Sequence, residues 1–221
     1  MFFDDSLKRL KKELKAAGAD MAFVKNWQKS YDKVRKQSTV IEKQYVKAKE
    51  DLNAVLGSLK EMEQLLISAK ENIGFEEVKK KLISFAKDMK KYKSSFVYEF
   101  LIGKEDQEFH LIYDTILSFI GTLCQKEQAE IRDLLILQSE VENLMAMTEE
   151  ALEKVWPDFR AMAYFYLGHT DEELLQLPHA DKITFVEKMY ADEFYRPMNQ
   201  VIETALGTER ASKVMEVELW I

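Results

Sequence analysis

Lysines at helical spacing are the main chemical resource of this chain. Lys25, Lys29, Lys33, Lys36, Lys43 and Lys47 recur at steps of four, four, three, seven and four. Those steps put them on one face of any helix that contains them. The chemistry of such a row is electrostatic: it is either a solvated helix face or a seat for anionic lipid, where each basic residue near a charged leaflet contributes about 1 kcal/mol. Residues 2–17 add Lys8, Lys11, Lys12 and Lys15 around an apolar face of Phe3, Leu7, Leu10, Leu14 and Ala17. That is the pattern of a short basic amphipathic helix able to lie in a lipid interface. A third cluster, Lys79, Lys80, Lys81, Lys87, Lys90, Lys91 and Lys93, follows. Nucleic acid is not expected as a partner, because the net charge is −7 and the aromatic residues fall in apolar stripes rather than among the lysines.

No pattern for bond chemistry accompanies the lysines. The chain has no G-x-x-x-x-G-K or G-x-G-x-x-G phosphate loop and no G-x-S-x-G elbow. A helical di-iron centre needs Glu-x-x-His pairs, but His110 has Gln107 at that spacing, His169 has Tyr166 and His179 has Gln176. Cys124 sits on an apolar stripe beside Leu123 without a local basic partner, as a buried inert thiol does. His169 and His179 flank a short segment and are read as surface histidines rather than ligands. The expectation is a non-enzymatic protein with no catalytic, metal or cofactor-binding residue.

The elements that carry the lysines are set by an apolar repeat. From residue 20 to 73 steps of three and four run through Val24, Trp27, Tyr31, Val34, Ser38, Ile41, Tyr45, Ala48, Leu52, Val55, Leu59, Met62, Leu66, Ala69 and Ile73, and only Ser38 is polar. A mean step of 3.5 residues stays in line only when helices wrap around a partner. As one helix the segment would be roughly 80 Å long. Trp27, Tyr31 and Tyr45 are too bulky for tight two-stranded packing, so three or more helices are expected to meet there. A second stripe runs through Val78, Leu82, Phe85, Met89, Tyr92 and Phe96. A third uses Phe109, Ile112, Ile116, Phe119 and Leu123, slips near Cys124 in the manner of a stutter, and resumes at Ile131, Leu134, Gln138, Val141, Met145, Thr148, Leu152 and Val155.

Composition agrees with an all-α chain. The three prolines, Pro157, Pro178 and Pro197, all lie in the last third, so residues 1–156 hold no obligate helix breaker. One cysteine excludes an internal disulfide and suits a reducing, cytoplasmic compartment. No signal peptide and no run of 18 apolar residues is visible. Residues 1–100 carry 22 Lys or Arg against 15 Asp or Glu, while residues 101–221 carry 10 against 24, so the first half attracts acidic partners or the second half itself. Three segments are expected: 1–18, the basic amphipathic helix; 19–156, a bundle of three long helices; and 157–221, a cap of short helices. Gly18 with Asp20 as N-cap separates the first two, and Gly103 with Lys104, Glu105 and Asp106 turns the chain after a second helix over 75–102. In the last segment Pro157 opens a first turn, Thr170 and Glu173 form a capping box, Asp181 caps a helix that Pro197 kinks, and Gly207 ends it before a last helix that reaches Leu219, Trp220 and Ile221.

A basic N-terminal helix, three long helices and a basic outer stripe together resemble BAR domains, with a local similarity to the sorting-nexin branch: Trp27 opens the first long helix, and Phe109 through Leu144 has the rhythm of that family's second helix. The resemblance implies a banana-shaped homodimer on an anionic, curved membrane, with the ten lysines of residues 8–47 as its lipid contacts. The short, proline-bearing helices of residues 156–221 depart from the family's unbroken third helix. The sequence thus predicts an elongated antiparallel coiled-coil bundle, peripheral to a membrane, or alternatively a structural subunit or adaptor that binds another helical protein.

Overall fold

The computed structural model describes residues 2–69, 75–92, 105–153, 158–169 and 177–214. Among them every regular element is helical and no strand occurs. Helix α1 spans Phe2–Ala16, α2 Met21–Ala69, α3 Phe75–Tyr92, α4 Glu105–Leu123, α5 Ile131–Glu153, α6 Phe159–Gly168 and α7 His179–Met189. A π turn over Tyr190–Tyr195 leads into α8, Arg196–Leu206, and α9 covers Thr208–Lys213. The chain forms two compact units: one of Met1–Ile41, Pro157–Thr170 and Ile183–Ile221, the other of Glu42–Trp156 and Asp171–Lys182. The grouping follows space rather than chain order, with α2 contributing its start to the first unit and its remainder to the second.

The 49 residues of α2 run without a break and begin as expected. Gly18 takes φ +77°, a conformation that disfavours side chains. Asp20 then accepts the backbone N–H groups of Ala22 and Phe23 at 2.9 and 3.1 Å. Every seam residue from Val24 to Leu66 is buried except the half-buried Ser38. Ile73 lies outside the described residues. Burial pushes the phenols of Tyr31 and Tyr45 up to about 12, so the seam carries no charge from them at neutral pH.

In the first unit α1 packs on α8. Leu7, Leu10 and Leu14 are 6, 0 and 0 % exposed, and Arg210 Nε and Nη2 reach the two Glu13 carboxylate oxygens at 2.9 and 3.3 Å. Leu7, Leu10 and Leu14, part of the apolar face read from the sequence as lipid-seeking, are therefore core, while Ala17 is exposed. Asp158 caps α6 by accepting from Arg160 and Ala161. Asp181 does not cap α7: the helix starts at His179, and Lys182 N–H already bonds the Pro178 carbonyl, so Asp181 sits in the first turn, where a carboxylate favours the helix dipole. Pro197 acts through the turn before it. It has no N–H and its ring crowds the carbonyl of Glu193, and the helix relieves this by widening to the π turn, in which Arg196 N–H reaches the Ala191 carbonyl. Gly207, at φ +84°, ends α8.

In the second unit α3 buries Val78, Leu82, Phe85 and Met89, the expected stripe. The third long helix does not form as one. It breaks between Leu123 and Ile131, because Gln125 to Glu130 offers no large apolar residue to continue a seam. The end of α4 tightens through Gln125 N–H to Thr122 and Lys126 N–H to Leu123, and Lys126 ties back to Asp133 at 2.6 Å. That contact holds the Asp133 carboxyl below its ordinary range. The seam phase also differs: α4 buries Tyr113 and Ile120 where Ile112 and Phe119 were expected, and α5 buries Leu137, Leu144 and Ala151 where Gln138, Met145 and Leu152 were expected, with Ile131 66 % exposed. Tyr113 is drawn inward because its hydroxyl donates to the Met89 carbonyl of α3. The helix end expected near Gly103 and Lys104, the capping box at Thr170 and Glu173, Pro157, Phe96, Val155 and the terminal Leu219 to Ile221 lie outside the described residues.

Candidate functional site

The exposed face of α2 is the site that the sequence singles out, and its geometry follows from the seam. Val24, Trp27, Tyr31 and Val34 turn inward, which leaves Lys25, Lys29, Lys33 and Lys36 within an arc of about 80° on the opposite side at 3.6 residues per turn. All four are exposed, as are Lys43 and Lys47 further along the same helix. Asp32 stands at the edge of the arc, and Val40 lies among these lysines with 48 % of its surface exposed.

Several cations elsewhere in the chain are paired. Lys60 meets Glu149 at 3.0 Å, Lys79 meets Glu76 at 3.1 Å, Arg196 meets Asp192 at 2.7 Å and Lys213 meets Glu209 at 3.0 Å. None of the six α2 lysines forms an ion pair among the described residues. The spacing of Asp32 to Lys36 and of Lys47 to Asp51 would permit one. These charges thus face water without compensation. On α1 the four lysines are divided: Lys8, Lys12 and Lys15 are exposed, whereas Lys11 is half-buried and donates to Gln28 Oε1.

A second polar and aromatic centre, in the first unit, was not foreseen. The Trp27 indole N–H donates to the Phe194 carbonyl at 2.9 Å, within the π turn. Its ring stacks on Tyr31 and Phe194 with centroids 5.1 and 5.0 Å away. The Tyr190 hydroxyl donates to the Tyr195 hydroxyl at 3.3 Å, and burial pushes both phenols up. Tyr164 donates to Glu193, which also lies 3.8 Å from His169. The signal for this cluster was present as aromatic residues at four-residue spacing in Tyr190 and Phe194.

Residues with reactive potential are dispersed. His169 ends α6 in the first unit, His179 begins α7 in the second, and among the described residues no group of three or more metal-ligating side chains occurs. Cys124 is half-buried, and burial, partly opposed by Lys79, pushes its thiol up. The thiolate is the reactive form. Alkylation of Cys124 by iodoacetamide at neutral pH should therefore run several-fold slower than that of free cysteine, as followed by mass spectrometry; an accelerated rate would show an activated thiol. No helix among the described residues is long and apolar enough to cross a membrane. Compared with protein-family models, curated proteins and solved structures, the chain matches none.

Proposed function

We propose that this chain is a non-enzymatic helical scaffold that attaches peripherally to an anionic membrane surface through the lysine face of α2. In this reading it acts in the cytoplasm as a homodimer, its long helices forming an elongated antiparallel coiled-coil bundle in the manner of the BAR domains it resembles. One observation carries the proposal: exposed Lys25, Lys29, Lys33 and Lys36 share a face in the first unit, exposed Lys43 and Lys47 follow on α2 in the second, and none has an ion-pair partner among the described residues. A row of cations without ion-pair partners is attracted to a negatively charged leaflet. In support of the antiparallel arrangement, Lys49 on α2 donates to the Leu152 carbonyl while Lys60, further along, meets Glu149, so rising numbers on one helix meet falling numbers on the other.

Co-sedimentation with phosphatidylserine-containing vesicles tests the attachment. Binding should fall as salt rises, because screening at physiological ionic strength acts beyond about 8 Å. Reversing Lys29, Lys33, Lys36 and Lys43 to Glu together should weaken it at least about a hundredfold, at roughly 1 kcal/mol per cation lost, without loss of helicity. Absence of binding by the intact chain at low salt would overturn the proposal. The reading left in front would then be a subunit or adaptor that binds another helical protein, for which exposed Leu111, Ile131 and Leu135 on α4 and α5 offer apolar contacts.

A further inference from the structure

We infer that the outward face of α3 is a second membrane-contact surface, in which a ring of lysines brings Ile83 into the lipid interface. Because α3 turns Val78, Leu82, Phe85 and Met89 inward, Lys80, Ile83, Ser84, Lys87, Lys90 and Lys91 fall on the opposite side. Glu76 lies on that same side one turn before Lys80, with Glu77 at its edge; from Lys80 to Lys91 the side carries no acidic residue. Glu76 engages Lys79, and Asp88 stands to the side on the rim of the groove between α2 and α3. Lys80, Lys87 and Lys90 are exposed and form no ion pair among the described residues. The Lys91 ammonium lies 5.5 Å from the centroid of the Tyr92 ring.

The occupant follows from two features together. Lys80, Lys87, Lys90 and Lys91 outnumber Glu76 on this face, and Glu76 already engages Lys79, so its complement is anionic. At its centre Ile83 is 45 % exposed, and an isoleucine amid lysines gains nothing from an acidic, hydrated protein tail but gains by entering the acyl boundary of a bilayer. Lysine stems are long enough to keep their charges at headgroup level while such a residue goes deeper. Anionic phospholipid fits both features. This inference shares the membrane reading of α2 but places a separate contact on a different helix.

The full chain, mixed with phosphatidylserine and phosphatidylcholine vesicles, tests it. Changing Lys80, Lys87 and Lys90 to Gln together should lower vesicle affinity about a hundredfold, near fivefold per lysine, and Ile83→Ser should lower it roughly tenfold. With Cys124→Ser as background, Ile83→Cys carrying an environment-sensitive fluorophore should shift to the blue on addition of vesicles. Matched circular dichroism spectra establish that the variants fold, and the fluorophore reports even where a triple variant does not. Unchanged affinity of the triple variant, or a fluorophore that stays in water while the protein sediments, would overturn the α3 contact. If the α3 variant loses binding while the reversed α2 variant retains it, the α3 contact stands and the α2 proposal falls; the opposite pattern removes α3 alone. Tight binding to a poly-glutamate peptide with none to vesicles would assign the face to an acidic protein and overturn the inference.

Discussion

Leu59→Asp should unfold the second unit at room temperature. Leu59 lies in the middle of α2 with 0 % of its surface exposed, between Val55 and Met62, which are equally enclosed. A carboxylate there has two courses: it remains charged and loses its hydration, or it takes up a proton and still leaves a polar group without a partner. Losing the leucine's own burial adds a cavity term of the kind that makes Leu→Ala cost about 2 to 5 kcal/mol. The sum, about 4 to 12 kcal/mol, is comparable with the roughly 5 to 15 kcal/mol that holds a typical domain. Leu66→Asp, at an equally enclosed position, should behave alike. Lys43→Asp, on the exposed side, should stay within about 0.5 kcal/mol of the parent. Thermal melts followed by circular dichroism decide the matter, and unchanged melting of both Leu59→Asp and Lys43→Asp would mean that the seam has been placed on the wrong face.

That test is strong because the seam of α2 was readable from residue types alone. Fixed steps of three and four admit one helical phase when polar residues fill the other positions, and beside Leu59 and Met62 they do: Ser58, Lys60, Glu61, Glu63 and Gln64. On α4 and α5 the same rule had two solutions. Both Ile112 and Tyr113, both Phe119 and Ile120, and both Leu134 and Leu135 are apolar, so the stripe could be drawn along either of two adjacent rows. The choice fell to a contact made across helices, the Tyr113 hydroxyl on the Met89 carbonyl, which no periodicity contains. Near Cys124 the periodicity shows only a one-residue slip; the absence of large apolar residues over Gln125 to Glu130 is the better signal of a break.

The lysine face was legible for the same reason that the seam was, since exposure on a helix is fixed once the buried side is known. Whether those lysines were already neutralised within the chain was not. Asp32 and Asp51 stand at pairing distance in sequence, and only side-chain placement separates them from Lys36 and Lys47. The amphipathic α1 illustrates the converse error. Its apolar stripe was real, but the partner that covers it, α8 with the Arg210 clamp on Glu13, is nearly two hundred residues away, and a stripe read in isolation does not say whether protein or lipid will cover it.

Trp27 joins elements from the two ends of the chain, and its truncation should cost the first unit most. Trp27→Ala removes a side chain that is 6 % exposed, two stacked ring contacts with Tyr31 and Phe194 and an edge contact with Tyr195 at 6.5 Å. Loss of a buried indole amounts to roughly 3 to 5 kcal/mol. Trp27→Phe keeps a ring for stacking but removes the N–H that reaches the Phe194 carbonyl. A buried carbonyl deprived of its donor costs about 1 to 3 kcal/mol, so the phenylalanine variant should fall between the parent and the alanine variant. The interval measures what the indole N–H contributes to the π turn, where Pro197 has already removed one backbone donor. Urea unfolding with circular dichroism reads both values. A phenylalanine variant as stable as the parent would show that the Phe194 carbonyl finds its donor elsewhere. An alanine variant within about 1 kcal/mol of the parent would show that this aromatic cluster is not the core of its unit.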